Sequence, residues 1–309
     1  MTSLKIGLVD LDTSHPGSFV PIVREMGHHV TGVFDSGTIY PPGYASTFAR
    51  EHGIDHACET IEELVERVDA VFIHSCDWDL HVQHARPFIE AGKAVFIDKP
   101  LAGNARDLQQ LIDWGKDGAI LTGGSALRYC NEVKEWRERG IGTEEWVYGL
   151  VGCAVDEFNY GIHAYAMLHG LMGAGIESAR YVGETTQQQI ELAWKDGRRA
   201  MVSIGKTSGY LPFYASITTQ KQVEFIKADN NRLYQAILEN VLPYMAGEAP
   251  SPISLDELAE AEMAAIAAKM SAERDGALIR IQDIPLSEVG YNGGLFAQQY
   301  KAMKFPVSR

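Results

Sequence analysis

The stretch Lys93–Leu101, KAVFIDKPL, decides the fold of the sequence around it. Four residues with strand character, 94–97, predict a buried strand, and Asp98, Lys99 and Pro100 follow where that strand ends. In an open parallel sheet, ligands bind beyond the carboxyl ends of the strands. We therefore expect Lys99 to lie at a ligand site, and the alternative is a solvated loop lysine.

Strands and helices alternate on both sides of this stretch. The pattern predicts strands at residues 4–9, 29–34, 69–74, 93–97 and 119–122, and helices at residues 16–27, 44–52, 61–67, 80–91 and 105–116. Such alternation implies right-handed crossovers and a parallel sheet that is covered by helices on both faces. Residues 1–124 are therefore predicted to form an α/β, Rossmann-like domain.

The pattern changes after Gly140, where strands are predicted at residues 146–154, 178–184, 188–194, 199–206, 214–219 and 222–227. A hairpin turn is indicated by KDG at Lys195–Gly197. Helices are predicted at residues 160–170, 232–245 and 254–272, the last opening with a capping box of Ser254 and Glu257. Residues 125–309 are therefore predicted to form an α+β domain with a mostly antiparallel sheet.

Composition restricts the class of protein. A chain of 309 residues exceeds the usual size of one core, so two domains are expected, and 46% hydrophobic with 22% charged residues is typical of a globular protein. The formal net charge of −14 disfavours nucleic acid and anionic membranes as partners and favours a small-molecule substrate.

Cysteine spacing and hydropathy indicate the compartment. The four cysteines contain no CxxC pair and no spacing that suggests zinc or a disulfide framework, which fits a reducing cytoplasm. No apolar run approaches the roughly 20 residues of a membrane helix, and the N-terminal sequence becomes acidic within its first residues. We therefore expect a cytoplasmic protein without an export signal.

Three motifs resemble one known family. DLH at Asp79–His81, EAGK at Glu90–Lys93 and DKPL at Asp98–Leu101, in that order and spacing, resemble the Gfo/Idh/MocA oxidoreductases. The segments NYGIHAYAMLHGLMG at 159–173 and KMSAERDGALIRI at 269–281 resemble later parts of the same family. The resemblance implies an NAD(P)-dependent dehydrogenase that acts on a sugar, inositol or related hydroxy compound.

The catalytic residues implied by this resemblance are Lys99 and His163. A hydroxyl loses hydride readily only as its proton leaves, so a base such as His163 and a cation such as Lys99 are needed at the reacting oxygen. The family's aspartate four residues before the histidine is Asn159 here, which can orient an imidazole but cannot stabilise its charge. Asp156, one further helical turn back, is an alternative orienting group. We also expect Tyr160 at the substrate.

Arg128, which follows the fifth predicted strand, is a further candidate for the substrate. A structural ion pair is the equally plausible alternative for this arginine.

The glycine fingerprint of the family falls on Asp10, Asp12 and His15 in DLDTSH. Two carboxylates beside a diphosphate repel it, by about 1 kcal/mol per pair at 4 Å even in water. Either these side chains turn away and only the start of the following helix meets the phosphates, or no dinucleotide binds in the usual pose.

Cofactor contacts are predicted at the ends of the first, second, third and fourth strands. They are Asp10, Asp12, Thr13, Ser14, His15, Asp35, Ser75, Cys76, His81 and Asp98. Asp35 ends the second strand, where an acid takes the adenosine ribose hydroxyls, and residues 36–43 contain no arginine for a 2′-phosphate. NAD is therefore favoured over NADP, with an Asx turn at Asp35 as the alternative.

Other interpretations remain open. Asp10, Asp12 and His15 suit Mn²⁺, Fe²⁺ or Zn²⁺ as ligands, although D-x-D strings at strand ends more often cap helices and turns. The fold would also serve an isomerase, epimerase or lyase, with metal assistance at this cluster, or an inactive ligand-binding sensor. We further expect a homo-oligomer through the C-terminal sheet, and a tail, Val289–Tyr300, that packs on the body or on a partner subunit.

Overall fold

The computed structural model describes residues 3–306 and contains two sheets. The first has six strands, all paired in parallel, in the order β3-β2-β1-β4-β5-β6. Strands β1 to β6 are Lys5–Val9, His29–Phe34, His56–Ala57, Ala70–Ile73, Ala94–Asp98 and Leu121–Gly124. This strand order is that of the doubly wound Rossmann fold, so the predicted α/β class is confirmed.

The crossovers of the first sheet are helical. Helices α1 to α5 are His15–Glu25, Tyr44–His52, Ile61–Val65, His81–Glu90 and Ala105–Lys116. Strands β4 and β5 are buried along their whole length, which explains their uninterrupted apolar sequences. Pro16 lies in the first turn of α1, as predicted, and the Asn104 side chain caps α5 by accepting from Asp107 N.

The second sheet has seven strands in the order β12-β11-β7-β10-β9-β8-β13. Strands β7 to β13 are Trp146–Gly152, Ile176–Glu184, Gln188–Trp194, Arg199–Ile204, Tyr214–Thr219, Val223–Lys227 and Ile279–Arg280. All pairings except β7 with β10 are antiparallel, and KDG joins β9 to β10. The predicted mostly antiparallel sheet is confirmed. The domain boundary at residues 124 and 125 stays a prediction.

The remaining helices pack on and between the sheets. Helices α6 to α11 are Asn131–Glu138, Gly161–Met172, Leu233–Met245, Leu255–Leu258, Glu260–Ala272 and Gly293–Lys304. Every residue of α7 is buried, because this helix lies against β7, β10 and α10. The helix predicted at 254–272 is divided at Ala259 into α9 and α10. The Ser254 hydroxyl caps α9 by accepting from Glu257 N, as predicted.

The four cysteines, Cys58, Cys76, Cys130 and Cys153, are buried free thiols. Within residues 3–306, no helix has both the length and the apolar character needed to cross a bilayer.

Candidate active site

A cavity of about 260 Å³ lies where the carboxyl ends of the first sheet face the second part of the chain. It adjoins the β1–α1 loop, the ends of β4, β5 and β6, and the start of α7. Nine of the residues predicted for the site line it: Thr13, Ser14, His15, Cys76, Asp98, Lys99, Asn159, Tyr160 and His163. The parallel topology has thus assembled residues that lie as far as 150 positions apart on one ligand edge.

Lys99 extends from the end of β5 into this cavity. Its Nζ donates to the main-chain oxygen and to Oδ1 of Asn159, both at 3.0 Å, and it lies 5.5 Å from the centre of the Tyr160 ring. An ammonium group has three N–H donors, so one remains for a ligand. Burial lowers the pKa of Lys99, and the charges of Asp98 and Asp156 oppose that shift.

His163 is hydrogen-bonded to Ser125, a residue that was not among the predicted site residues. Its Nδ1 lies 2.7 Å from Ser125 Oγ, which leaves Nε2 as the nitrogen that can meet a ligand. Burial lowers the pKa of His163 well below its usual value, and the nearby Lys99 lowers it further, so the imidazole is neutral at pH 7. Ser125 directly follows β6, and this position at a strand end was the signal that could have identified it.

Neither predicted orienting group contacts the His163 imidazole. Asn159 Oδ1 accepts from Lys99 instead, because Asn159 precedes the first turn of α7 and faces β5. Asp156 Oδ1 accepts from the main-chain N–H groups of Phe158 and Tyr160, in the turn before α7. The predicted pairings of His163 with Asn159 and with Asp156 are therefore wrong.

Asp10 turns away from the ligand edge. It is fully buried with a φ of 61°, and its carboxylate accepts from Ser36 N at 2.8 Å and from the Ser75 hydroxyl. Burial raises the pKa of Asp10, but His84 Nδ1 at 3.3 Å from the same carboxylate and the other hydrogen bonds bring it below its usual value. The positive φ is the conformation that glycine adopts at this position of the fingerprint, so the backbone shape is kept while the side chain is buried.

Asp12 is also fully buried. Its Oδ2 accepts from Cys76 N at 2.7 Å, and its Oδ1 has no hydrogen-bond partner among the described residues. Burial, and then the charge of Asp10, raise the pKa of Asp12 to about 8. The side chains of Asp10 and Asp12 therefore avoid the ligand edge, and neither lines the cavity.

Three other residues predicted to contact the cofactor have their polar atoms bonded inside the fold. Asp35 forms a turn, accepting from Leu11 N at 3.1 Å and from Gly37 N at 2.8 Å, as in the Asx-turn alternative. His81 is fully buried, with Nδ1 at 3.0 Å from Leu101 O and Nε2 at 2.9 Å from Ser75 O. His81 and Ser75 do not line the cavity, and their polar atoms are hydrogen-bonded inside the fold, so cofactor contact by either stays a prediction.

Arg128 is also away from the cavity. Its guanidinium is buried against His169 Nδ1, and Nη2 donates to Leu258 O at 3.4 Å. Burial is the largest effect on the pKa of this group and lowers it. Arg128 thus contacts α7 and α9 inside the fold, in line with a structural role, and its contact with a substrate stays a prediction.

The predicted metal set is not assembled. Asp10 and Asp12 do not form a ligand group with His15 within residues 3–306, because both carboxylates are committed to main-chain and hydroxyl donors inside the fold. His15 instead approaches His74 and Asp98.

Helix α11 lies across the edge of the sheet on which Rossmann proteins hold a dinucleotide. Lys304 Nζ donates to Asp12 O and Lys301 Nζ donates to Thr38 O, each at 2.8 Å. Lys304 Nζ also lies 4.3 Å from the centre of the Tyr40 ring. These contacts place α11 over the loops that follow β1 and β2, where the pyrophosphate and adenosine of a dinucleotide bind.

The same helix packs on the loop after β4. Ala297 is buried against Ile39 and Cys76, while Phe296 and Tyr300 line the cavity. Helix α11 thus contacts the loops after β1, β2 and β4, which border the edge where a dinucleotide binds in this fold. The tail predicted to pack on the body does so, and it forms a helix that the sequence analysis did not predict.

The first part of the chain matches a known family. Residues 19–118 match the family model GFO_IDH_MocA, described as "Oxidoreductase family, NAD-binding Rossmann fold". This segment is similar to the Gfo/Idh/MocA oxidoreductases. The resemblance carried by DLH, EAGK and DKPL is thereby confirmed, and the segment has the NAD-binding type of fold.

Curated relatives of this Gfo/Idh/MocA segment match over a limited length. A 1,5-anhydro-D-fructose reductase of Ensifer adhaerens is 27% identical over 119 residues, covering 38% of this chain and 34% of the relative. A scyllo-inositol 2-dehydrogenase (NADP(+)) of Bacillus subtilis is 31% identical over 104 residues, covering 32% and 31%. The chain thus spans about a third of the length of these relatives.

Solved structures share the fold over nearly the whole chain. A probable dehydrogenase from Thermotoga maritima has a TM-score of 0.78 at 18% identity, covering 91% of this chain and all of that one. A myo-inositol dehydrogenase from Lactobacillus casei, in complex with NAD(H) and myo-inositol, has a TM-score of 0.74 at 16% identity, covering 90% and 97%. Both sheets therefore share the fold of these solved structures.

Proposed function

We propose that the protein is an NAD-linked oxidoreductase that interconverts a hydroxyl and a carbonyl on a sugar, inositol or related polyol. The observation that carries this proposal is the convergence of Lys99 and His163 on one cavity at the ligand edge of a Gfo/Idh/MocA fold. The cavity of about 260 Å³ is at the lower limit of typical ligand pockets, which suits a compound of monosaccharide size.

The residues of this chain would handle the proton of the reacting hydroxyl. His163 Nε2 accepts that proton when Nδ1 carries the hydrogen and donates it to Ser125 Oγ. The remaining N–H of Lys99 stabilises the oxygen as negative charge develops on it. Since Asn159 is neutral, no carboxylate stabilises the imidazolium from this position, and Lys99 disfavours it further. Proton transfer is thus the demanding part of the reaction.

The position of α11 affects how a dinucleotide cofactor can bind. As α11 covers the loops after β1 and β2, NAD binding in the family pose requires this helix to leave. The absence of an arginine in residues 36–43 favours NAD over NADP once the edge is open.

A cofactor titration combined with a substrate screen tests the proposal. Isothermal titration with NAD⁺ and NADH would be followed by assays on inositols and aldoses, with absorbance at 340 nm as the readout. We expect saturable binding and cofactor-dependent turnover of at least one polyol. No heat and no thermal shift at millimolar NAD⁺, NADH, NADP⁺ and NADPH would contradict the proposal.

A second candidate is an isomerase, epimerase or lyase that uses Lys99 and His163 for proton transfer alone. The docked α11 favours it, because the cavity stays intact while the dinucleotide edge is covered. Exchange of substrate C–H for deuterium without added dinucleotide, followed by NMR, separates this candidate from the first.

We also propose a homo-oligomer formed through the outer face of the second sheet. Large apolar side chains are exposed there, including Val147, Tyr148, Val223 and Phe225, the last with 67% of its surface exposed. Neighbouring strands place Tyr148 and Val223 opposite the same residue, Thr218, so they share one face. A contiguous apolar patch of this kind is typical of an interface. Light scattering coupled to gel filtration tests it, and a monomer at micromolar concentration would contradict it.

A further inference from the structure

Three side chains with metal-ligand chemistry meet at the ligand edge of the first sheet. Asp98 Oδ2 lies 2.5 Å from His15 Nδ1 and 3.1 Å from His74 Nδ1, and one ligand atom from each residue lies within 4.8 Å of the others. No other group of this kind occurs within residues 3–306.

The fold brings these residues together from three separate segments. Asp98 is the last residue of β5, and His74 follows Ile73 at the end of the neighbouring β4. His15 is the first residue of α1. The three side chains are thus mounted on rigid elements, which keeps their separation defined.

The carboxylate of Asp98 is buried, and its Oδ1 accepts from the main-chain N–H of Lys99 at 2.8 Å. Among the described residues, its ion-pair partners within 4.0 Å are only the two histidines. The neighbouring Lys99 amine donates to Asn159 instead. A buried carboxylate between two imidazoles is an environment that a cation would stabilise, because an uncompensated buried charge is costly.

We infer that His15, His74 and Asp98 bind one divalent transition-metal ion, with Mn²⁺, Fe²⁺ and Zn²⁺ as the ions suited to this donor set. Two imidazoles and one carboxylate leave further coordination positions open, as in the 2-His-1-carboxylate sites of metalloenzymes. This inference does not depend on the proposed function, since it concerns binding of the metal alone.

Two of the three ligand separations can be compared with those around a bound ion. Ligand atoms about 2.1 Å from a metal lie about 3 Å from each other when they are at right angles. The separation of 3.1 Å between Asp98 and His74 already has this value. The 2.5 Å separation from His15 must open by about half an ångström, and His15 is the least buried of the three.

The proposed ion would lie beside the cavity that contains Lys99 and His163. His15 and Asp98 line the same cavity as Lys99 and His163, so a ligand there can reach both the ion and the proton-transfer groups. An ion at this point would polarise a hydroxyl or carbonyl oxygen as a Lewis acid. The ligand class that fits is a compound with adjacent hydroxyl and carbonyl oxygens, which can bind a metal through two atoms.

Metal binding to the full-length protein tests the inference directly. The protein would be stripped with a chelator, dialysed, and titrated with Mn²⁺, Zn²⁺ and, without oxygen, Fe²⁺, with elemental analysis of the stoichiometry. We expect one equivalent of at least one of these ions and a rise in Tm. The variants His15→Asn and Asp98→Asn should each weaken binding by about 100-fold or more.

Controls distinguish this site from surface binding. The exposed residues His56 and Asp113 provide the matched variants His56→Asn and Asp113→Asn, which should bind metal as the parent protein does. Apo Tm values report whether each variant is folded, and anomalous scattering from crystals soaked with Mn²⁺ or Zn²⁺ locates the ion in the parent protein. No stoichiometric binding, full binding by His15→Asn and Asp98→Asn, or an ion elsewhere would overturn the inference.

Discussion

Lys99 Nζ donates both to the main-chain oxygen and to Oδ1 of Asn159, at 3.0 Å each, and this pair fixes the amine at the cavity. The asparagine stands where the family resemblance places an aspartate, so a neutral group holds the cation in position without neutralising it. The charge of Lys99 thus remains directed at whatever oxygen occupies the cavity.

Replacing Lys99 with methionine should remove activity while keeping the fold. Met preserves the apolar length of the side chain but supplies no donor to the reacting oxygen. We expect kcat/KM to fall by about 100-fold or more, as measured by initial rates on the best substrate of the screen. The exposed Lys116 gives the control variant Lys116→Met, which should retain the parent rate. Equal rates for both variants would contradict a role for Lys99.

Removing the Ser125 hydroxyl should impair His163 without weakening substrate binding. In Ser125→Ala, Nδ1 of His163 loses its partner at 2.7 Å and the tautomer with a free Nε2 is no longer selected. We expect kcat to fall by at least about tenfold with little change in KM, because orientation acts in the transition state. Ser125→Thr should restore most of kcat, and the exposed Ser46→Ala should have no effect. A loss confined to KM would contradict this role.

Asp12→Asn should change how stability depends on pH. The pKa of Asp12 is about 8 in the folded state and near 3.8 in the unfolded chain, so the folded state holds one more proton between these values. Stability of the parent protein therefore falls as pH rises from about 4 to 8, by up to roughly 1.4 kcal/mol per pH unit from this group. Asparagine does not titrate and lacks that slope.

Urea denaturation of Asp12→Asn and the parent at pH 5 and pH 8 measures this effect. The variant should gain relative stability at pH 8. Asp55→Asn, at an exposed position, is the control and should follow the parent at both pH values. Parallel pH profiles for Asp12→Asn and the parent would show that Asp12 is ionised in the folded state.

Undocking α11 should strengthen dinucleotide binding. Ala297 is buried between α11 and the loops after β2 and β4, so Ala297→Glu places a charge in that contact. If α11 competes with the cofactor, the apparent Kd for NADH should fall by about tenfold, since the open state is more populated. Ala302→Glu, on the exposed side of the same helix, is the matched control. The same Kd for Ala297→Glu and Ala302→Glu, measured by calorimetry, would contradict the competition.

A charge on the outer face of the second sheet should dissociate the proposed oligomer. Phe225 exposes 67% of its surface, and Phe225→Asp would bury a carboxylate in any interface formed there. Light scattering should then report a monomer, with the Tm of the isolated chain otherwise similar. Leu286, exposed away from this sheet, gives the control Leu286→Asp, which should keep the parent mass. An unchanged mass for Phe225→Asp would place the interface elsewhere.

The sequence by itself determined the two-sheet architecture and the place of Lys99. Uninterrupted apolar runs and regular turns encode buried parallel strands, and the position of a residue at a strand end is a local property. For the same reason the predicted strands at 29–34, 188–194 and 214–219 agree with β2, β9 and β11 to the residue.

Only the tertiary structure decided which polar groups face one another. Ser125 rather than Asn159 holds His163, Asp10 and Asp12 turn inward, and His74 joins His15 and Asp98 instead of either carboxylate. These pairings join residues that are far apart in the chain, so a local sequence pattern cannot predict them. Helix α11 was not predictable either, because its apolar pattern is short. The helix is stabilised by its packing on the edge of the first sheet.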